Sequence, residues 1–263
     1  MSNKKTIIGS GLAGPLLAIL LAKRGYSVDL FEKHADPRLE HVPAGRSINL
    51  ALSHRGIEAL KSASVFEMVE PLLIPMKGRM IHQKNGELDF QPYSMNAEEY
   101  INSVSRSELN KILITAAEDT GKVNIHFSHA LSSIQDNQLE FENSHKVEIE
   151  NEIIGADGSG SVIRKYIDSN CDLPSTAKPL GHAYKELNIA PGKNGDFQIN
   201  ANSLHIWPRG QFMLIGLPNT DKSFTCTLFM PNKGAVSFES LKTEADVVDF
   251  FNTHFSDALP LLE

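Results

Sequence analysis

The stretch that decides the fold is "KKTIIGSGLAGPLLAILLAKRGYSVDLFE", residues 4–32. Residues 5–8 form a short apolar run, a glycine-rich turn follows, and a helical pattern continues as far as Gly25. A second apolar run then occupies residues 26–31. Strand, turn, helix and strand in this order form a βαβ unit, which predicts a parallel sheet of the Rossmann type.

The turn "GSGLAG" has the G-x-G-x-x-G spacing of dinucleotide-binding loops, with Gly9, Gly11 and Gly14 at the three glycine positions. The first glycine permits the tight turn, the second lets a pyrophosphate approach the backbone, and the third lets the helix pack closely on the strand. Glu32 stands at the end of the second strand, where a carboxylate accepts hydrogen bonds from ribose hydroxyls. Because an acid disfavours a 2′-phosphate at this position, the site is predicted to bind FAD or NAD rather than NADP.

Composition narrows the class of protein. The chain has 263 residues and a net charge of −7, which argues against a nucleic acid or an anionic membrane as the main partner. Its two cysteines have no paired spacing and its ten histidines have no ligand spacing, so we expect a reducing compartment and assign no metal. The longest apolar run, residues 15–22, is too short to span a bilayer, and the glycine motif leaves no room for a signal peptide. We therefore expect a cytoplasmic protein without a membrane segment.

Another stretch, "GRSINLALSHRG" at residues 45–56, alternates apolar residues with small polar ones. Ile48, Leu50 and Leu52 form one face of a predicted strand, and the opposite face has no long charged side chain. Such a neutral face predicts that something large and polar lies against it. A buried strand packed on a helix is the alternative.

A third stretch, "EIIGADGSGSVIR" at residues 152–164, runs from an apolar strand into a turn and a helix. Asp157 could simply be a carboxylate at a helix start that pairs with Arg164. The whole string, however, resembles the Asp-Gly fingerprint of single-component flavoprotein aromatic hydroxylases. In that family the segment supports both FAD and a transient nicotinamide cofactor, so the resemblance favours FAD over NAD.

The resemblance narrows to the kynurenine 3-monooxygenase family within these hydroxylases. The strings "GRSINLALSHRG", "GRMIHQKNGELDFQPY", "SVSRSELNK", "LHIWPR" and "SFTCTLFMP" are all similar to segments of that family. Together with the glycine motif and the Asp-Gly segment, this resemblance implies a set of FAD-contacting residues: Gly9, Gly11, Ala13, Gly14, Phe31, Glu32, Lys33, His34, Ala51, Arg106, Leu131, Asp157, Gly158 and Val162. The small polar face around Ala51 would then be a wall beside the flavin.

Arg79 and Tyr93 match the substrate-binding pair of the family. A guanidinium fork suits an amino-acid carboxylate, and a phenol adds a directional hydrogen bond. The plainer alternatives are a surface arginine at a hairpin base and a tyrosine packed by proline. Trp207 and Phe229 are expected in the core. The implied reaction is hydroxylation of L-kynurenine to 3-hydroxykynurenine with NADPH as transient co-substrate and O2, and no catalytic residue is assigned because the cofactor performs the chemistry.

We expect an α/β fold of the aromatic hydroxylase type, in which a Rossmann-like FAD-binding domain carries an inserted antiparallel β-sheet substrate domain. A hairpin around Asn85-Gly86 interrupts the run of βα units, and strands separated by turns follow from about residue 178. The predicted FAD-binding domain covers residues 1–75 and 99–177, and the substrate domain covers residues 76–98 and 178–263.

One feature departs from the family. The family carries a further FAD motif, Gly-Asp-Ala-Ala-His, which this sequence lacks, and Gly195-Asp196 stands in a turn between predicted strands. The chain stops at "ALPLLE", so we expect a C-terminally truncated form of the fold whose activity alone is open. A non-catalytic FAD-binding fragment and a related hydroxylase with another substrate stay open as alternatives. The oligomeric state is also open, with a homodimer as one alternative.

Overall fold

The computed structural model describes residues 3–39, 48–173 and 175–262, and within them the chain forms sixteen strands and six α-helices. The strands are β1 (Lys4–Ile8), β2 (Ser27–Phe31), β3 (Asn49–Leu52), β4 (Ile74–Met76), β5 (Gly78–His82), β6 (Leu88–Pro92), β7 (Ile101–Ser105), β8 (Val123–His126), β9 (Leu131–Gln135), β10 (Gln138–Phe141), β11 (Lys146–Glu148), β12 (Ile153–Gly155), β13 (His182–Ile189), β14 (Ser203–Arg209), β15 (Phe212–Pro218) and β16 (Phe224–Pro231). The helices are α1 (Ala13–Lys23), α2 (His54–Ser62), α3 (Phe66–Val69), α4 (Arg106–Asp119), α5 (Val162–Asn170) and α6 (Glu244–His254). Within the described ranges, the helices are all too short or too polar to cross a membrane.

The chain divides into two compact units. The first comprises Met1–Val42, Gly56–Pro71 and Arg106–Ala177, and the second comprises Pro43–Arg55, Leu72–Ser105 and Lys178–Glu263. Strands β3 and β7 belong to the second unit, whereas residues 1–75 and 99–177 are predicted to form the FAD-binding domain. Both strands belong to the second unit because β7 pairs with β3 and with β4 in one three-stranded sheet. The domain boundaries themselves stay a prediction.

The first unit is built on a parallel sheet with the strand order β12-β1-β2-β8. Its central strands are the two apolar runs of the opening motif, and Ile7 pairs with Leu30 in complete burial. The carboxyl-terminal residues of both strands are apolar and buried, whereas their first residues are polar and include the exposed Lys4 and Ser27. The predicted βαβ unit is confirmed, and it brings the glycine turn to the carboxyl end of the sheet.

The sequence of residues 57–70 predicts a single helix, but the structure has two, α2 and α3, with a break between them. Just after α2, Ser64 lies in the left-handed region at φ 59°, and the N–H of Val65 donates to the carbonyl oxygen of Leu60. The N–H of Ser64 bonds the carbonyl oxygen of Lys61, which completes a Schellman closure. Because serine replaces the usual glycine in this closure, the sequence had no clear stop signal there.

A three-stranded antiparallel sheet, β11-β10-β9, follows in the first unit. Strands β9 and β10 are joined by Asp136 and Asn137, both with positive φ (48° and 59°), as in two-residue type I′ hairpin turns. The hairpin places Leu131 at the start of β9, next to the end of β2.

The second unit contains a six-stranded sheet with the order β13-β16-β15-β14-β5-β6. The predicted hairpin is confirmed, since β5 and β6 pair antiparallel from Gly78 opposite Pro92 to His82 opposite Leu88. The expectation of a purely antiparallel sheet is wrong at one place, because β14 pairs with β5 in parallel. These two strands come from chain segments more than a hundred residues apart, so no hairpin constrains their direction.

One face of the six-stranded sheet packs against α6. Trp207 is fully buried in this core, as predicted, together with Phe250, Phe251 and Phe255. Phe229 differs from the prediction, because it is only partly buried and lies 6.1 Å from Tyr184, ring centroid to ring centroid. Adjacent residues of a strand point to opposite faces, which separates Phe229 from the buried Leu228 and Met230.

Two histidines lie side by side in the second unit. His82 Nε2 is 2.8 Å from His205 Nδ1, and His205 Nε2 is 2.7 Å from the carbonyl oxygen of Asn200. Because a carbonyl only accepts, His205 Nε2 carries the hydrogen, and its Nδ1 accepts from His82 in the neutral pair. The His82 ring also stacks on Trp207, with the ring centroids 3.9 Å apart. The single tryptophan is therefore a fluorescent reporter beside the pair.

We expect this unit to lose stability as the pH falls below about 6.5. Burial, and then the proximity of His205, lowers the pKa of His82 to about 4, and burial also lowers the pKa of His205. A histidine with a lowered folded-state pKa takes up a proton on unfolding, so acid favours the unfolded state progressively between about pH 6.5 and about pH 4. For His82 alone the loss reaches about 3 kcal/mol. Urea midpoints read from Trp207 fluorescence across this range measure it, and an unchanged pH dependence in His82→Gln would contradict the assignment.

Candidate functional site

An open cleft of about 540 Å³ lies at the carboxyl end of the parallel sheet in the first unit. Its size is within the range of small-molecule and cofactor sites. The lining residues come from β1, β2, α4, β9, α5 and the loops beside them: residues 8–11, 31–35, Pro37, Arg106, Asn110, Ile114, residues 129–131, Glu142, residues 156–160 and Val162. Ligands of α/β sheets bind at this end of the strands.

The three motif glycines have three different surroundings. A Cβ on Gly14 would lie 2.0 Å from the carbonyl oxygen of Gly9, so the helix could not approach the strand. Gly9 itself has φ 104°, and a Cβ there would lie 2.5 Å from the carbonyl oxygen of Ala156. A Cβ on Gly11, by contrast, would meet no described atom within 4 Å. The first and third glycines serve the protein's own packing, and the second leaves open space along the cleft.

The N-terminus of α1 follows the glycine loop directly. Its N-cap is Leu12, no described side chain accepts a capping hydrogen bond from its first N–H groups, and its first turn contains no acidic residue. A helix N-terminus carries a partial positive charge, so unpartnered N–H groups there suit an anion such as a phosphate.

Glu32 holds the glycine loop from the neighbouring strand. One carboxylate oxygen accepts from the N–H of Ser10 at 2.7 Å, and the other accepts from the N–H of His34 at 3.0 Å. The carboxylate is thus fixed beside the loop, with lone pairs left for a ligand hydroxyl.

Asn110 is a site residue that sequence reasoning missed. From α4 its side-chain amide donates to the carbonyl oxygens of Ser10 and Gly11, at 3.0 and 3.1 Å. It lies about a hundred residues after the loop, and a polar residue on a helix carries no signal of such a contact. The loop is therefore held from both sides, by Glu32 at an N–H and by Asn110 at two carbonyls.

Asp157 caps a helix. Its carboxylate accepts from the hydroxyl of Ser161 at 2.6 Å and from the N–H groups of Val162 and Ile163 at 2.7 and 3.3 Å. The alternative of a carboxylate at a helix start thus holds for Asp157, but among the described ion pairs there is none between Asp157 and Arg164. Because Asp157 satisfies the first N–H groups of α5, this helix start shapes the cleft without offering it an anion site.

Most of the other predicted cofactor residues also line the cleft: Phe31, Lys33, His34, Arg106, Leu131, Gly158 and Val162. Gly14 and Ala13 are in the first turn of α1 outside the lining, and Gly14 is buried behind the loop. Ala51 lies exposed on β3 in the second unit. These residue roles stay predictions.

The polar face of β3 has a partner within its own unit. Asn49 is only 7% exposed, and its amide donates to the hydroxyl of Ser103, the carbonyl oxygen of Pro218 and the side chain of Asn219. The expected large polar neighbour is, at Asn49, the protein itself. Ser47, on the same predicted face, lies outside the described residues.

Arg79 and Tyr93 lie together in the second unit. The Arg79 guanidinium carbon is 5.1 Å from the centre of the Tyr93 ring, within cation–π range. The Tyr93 hydroxyl is buried, and its O–H donates to no described residue. Burial raises the pKa of Tyr93, while the nearby Arg79 guanidinium opposes this. The exposed guanidinium is available to an anionic group.

Comparison with known proteins shows which family the chain resembles. The family model described as "FAD binding domain" matches residues 4–191. The kynurenine 3-monooxygenase of Myxococcus xanthus is 46% identical over 263 residues, covering 98% of this chain and 57% of the relative. That of Stenotrophomonas maltophilia is 41% identical over 268 residues, covering 99% and 58%. The chain thus spans somewhat more than half the length of the curated relatives it matches.

Solved structures show the same fold. The tetrameric form of 2-methyl-3-hydroxypyridine-5-carboxylic acid oxygenase superposes with a TM-score of 0.77 at 18% identity, covering 99% of this chain and 66% of that chain. At this identity the likeness concerns the fold alone. It agrees with the expected mixed α/β architecture of aromatic hydroxylases.

Proposed function

The chain belongs to the FAD-binding domain family, and from this premise we propose that FAD binds in the cleft of the first unit. The observation that carries the proposal is the glycine loop. Gly11 leaves open space where a pyrophosphate must approach the backbone, and the adjacent α1 N-terminus has no side-chain cap. Glu32 stands beside the same loop. These residues fit a dinucleotide of the FAD type.

Different residues of the cleft would bind different parts of FAD. The N–H groups of α1 would bind the pyrophosphate, and the Glu32 carboxylate would accept from the ribose hydroxyls. Arg106 and Lys33 put two positive charges in a lining that also contains Glu32, Glu142 and Asp157, so they would favour the anionic cofactor only where they lie close to its phosphates. FAD, when bound, supplies the transfer of electrons between a reduced nicotinamide and O2.

We propose further that the activity of the longer relatives, hydroxylation of L-kynurenine with NADPH and O2, is the activity to which this chain contributes. The support is the 46% identity to a protein named kynurenine 3-monooxygenase, together with the Arg79–Tyr93 pair. The guanidinium would hold the amino-acid carboxylate, and the buried Tyr93 hydroxyl is a donor without a partner among the described residues. A homodimer and a cytoplasmic location stay predictions.

A titration of the purified chain with FAD, followed by flavin fluorescence, tests the first proposal. Saturable binding at one FAD per chain would support it. A folded, monodisperse chain that binds no FAD would contradict it. A second candidate, which the sequence leaves open, is FAD binding without catalysis by this chain alone. It predicts that kynurenine does not accelerate NADPH oxidation by the FAD-loaded chain.

If Arg79 holds the substrate carboxylate, Arg79→Met will weaken kynurenine binding to the FAD-loaded chain by about ten- to a hundredfold, because a charge-assisted hydrogen bond contributes about 1.5–3 kcal/mol. Calorimetric titration measures the dissociation constant. Lys77→Met is the matched control, since it removes an exposed positive charge two residues away on the same chain segment. If both variants weaken kynurenine binding equally, the loss of one positive charge explains the effect, and a specific role of Arg79 is contradicted.

A further inference from the structure

The wall of the cleft beyond Glu32 is formed by the segment that enters β9. The N–H of His129 donates to the carbonyl oxygen of Glu32 at 2.8 Å, and the N–H of Ser128 donates to that of His34 at 2.9 Å. The two segments are therefore joined by backbone hydrogen bonds, and His129 lines the cleft immediately beside Glu32. A base attached to a ribose at Glu32 would reach this wall.

The His129 ring is fixed by its neighbours. Its centroid lies 5.9 Å from that of Phe31, 5.5 Å from that of Phe141 and 5.1 Å from that of His145, in tilted or edge-on geometries. Aromatic contacts of this kind are favourable and hold the orientation of the ring. His129 is thus a fixed group in the cleft wall, and its hydrogen-bonding edge has a defined direction.

The tautomer of His129 follows from one contact. Nδ1 is 2.7 Å from the carbonyl oxygen of Phe127, and a carbonyl only accepts, so Nδ1 carries the hydrogen. In the neutral ring Nε2 is then an acceptor. Among the described residues no donor reaches Nε2. His129, which lines the cleft beside Glu32, therefore carries an acceptor nitrogen to which no described residue donates.

We infer that His129 selects adenine over 6-oxo purines in the dinucleotide. The inference rests on the proposed binding of FAD in this cleft. Adenine carries an amino donor at position 6, which Nε2 can accept, whereas hypoxanthine carries a carbonyl acceptor there and would place two acceptors against each other. Glu142, Lys33 and His34 also line the cleft. His129 differs from them in being held by both a hydrogen bond and ring contacts.

The test uses ADP and IDP, which share the ribose and the pyrophosphate and differ at position 6 of the base. Calorimetry at about pH 8, where ordinary imidazoles are neutral, gives each dissociation constant for the wild-type chain, and FAD binding is measured by fluorescence in parallel. We expect ADP to bind about tenfold more tightly than IDP, the value of one well-placed hydrogen bond. His129→Phe keeps the ring contacts and removes the acceptor, so the preference should fall to about one.

His145→Phe is the matched control, because His145 belongs to the same ring cluster and does not line the cleft. It should keep the tenfold preference. FAD binding with no preference for ADP, or with the preference retained in His129→Phe, would overturn the inference and leave the proposed function standing. A folded chain that binds no FAD would overturn both.

Discussion

Gly14→Ala will destabilise the first unit by about 3 kcal/mol and weaken FAD binding by about a hundredfold or more. The added Cβ would lie 2.0 Å from the carbonyl oxygen of Gly9, and backbone atoms cannot swing away as a flexible side chain can. Either α1 or the glycine loop must move, and both carry groups of the proposed pyrophosphate site. Urea unfolding followed by circular dichroism, together with FAD titration, measures the two effects.

Gly11→Ala is expected to affect FAD binding with little effect on stability. Its Cβ would meet no described protein atom within 4 Å, so the unfolding free energy should change by less than about 1 kcal/mol. FAD affinity should still fall, because the methyl group would take up space along the cleft. If Gly14→Ala folded and bound FAD as the wild type does, the close packing of helix and loop would be refuted.

Arg209→Met will cost the second unit about 3–5 kcal/mol, the range for removing one partner of a buried charged network. The Arg209 side chain is 3% exposed and joins three parts of the unit. It donates to the carbonyl oxygens of His82 and His254, each at 2.7 Å, and to the carboxylate of Asp257 at 3.1 Å. Its loss leaves buried acceptors without donors, and methionine cannot replace them.

Urea unfolding read from Trp207 fluorescence reports this loss directly, because the only tryptophan lies in the same unit. Asp257→Asn is the comparison variant. Asp257 is 29% exposed and asparagine still offers an oxygen to Arg209, so about 1 kcal/mol or less is expected. Equal midpoints for wild type and Arg209→Met would show that the arginine does not hold the unit together.

The sequence predicted the local parts of the candidate site well. Strand, glycine turn and helix follow one another without a break, so the identity and spacing of Gly9, Gly11 and Gly14 were sufficient. Glu32 lies beside the loop as expected, because the same unit fixes the end of the second strand, and its role toward a ribose stays a prediction. Asn110 was not found, because its contact to the loop depends on how α4 packs against α1.

The sequence alone determined the βαβ unit, the hairpin of β5 and β6, and the buried position of Trp207, because periodicity, turn chemistry and residue size act over a few neighbouring residues. Only the tertiary structure decided that β14 runs parallel to β5, that β3 joins β7, and that Asp157 caps α5 instead of pairing with Arg164. These outcomes depend on which distant segments meet and on which donors they bring. Many pairings between distant segments are compatible with the same local sequence pattern. Burial and hydrogen bonding in the folded chain decide which of these pairings forms.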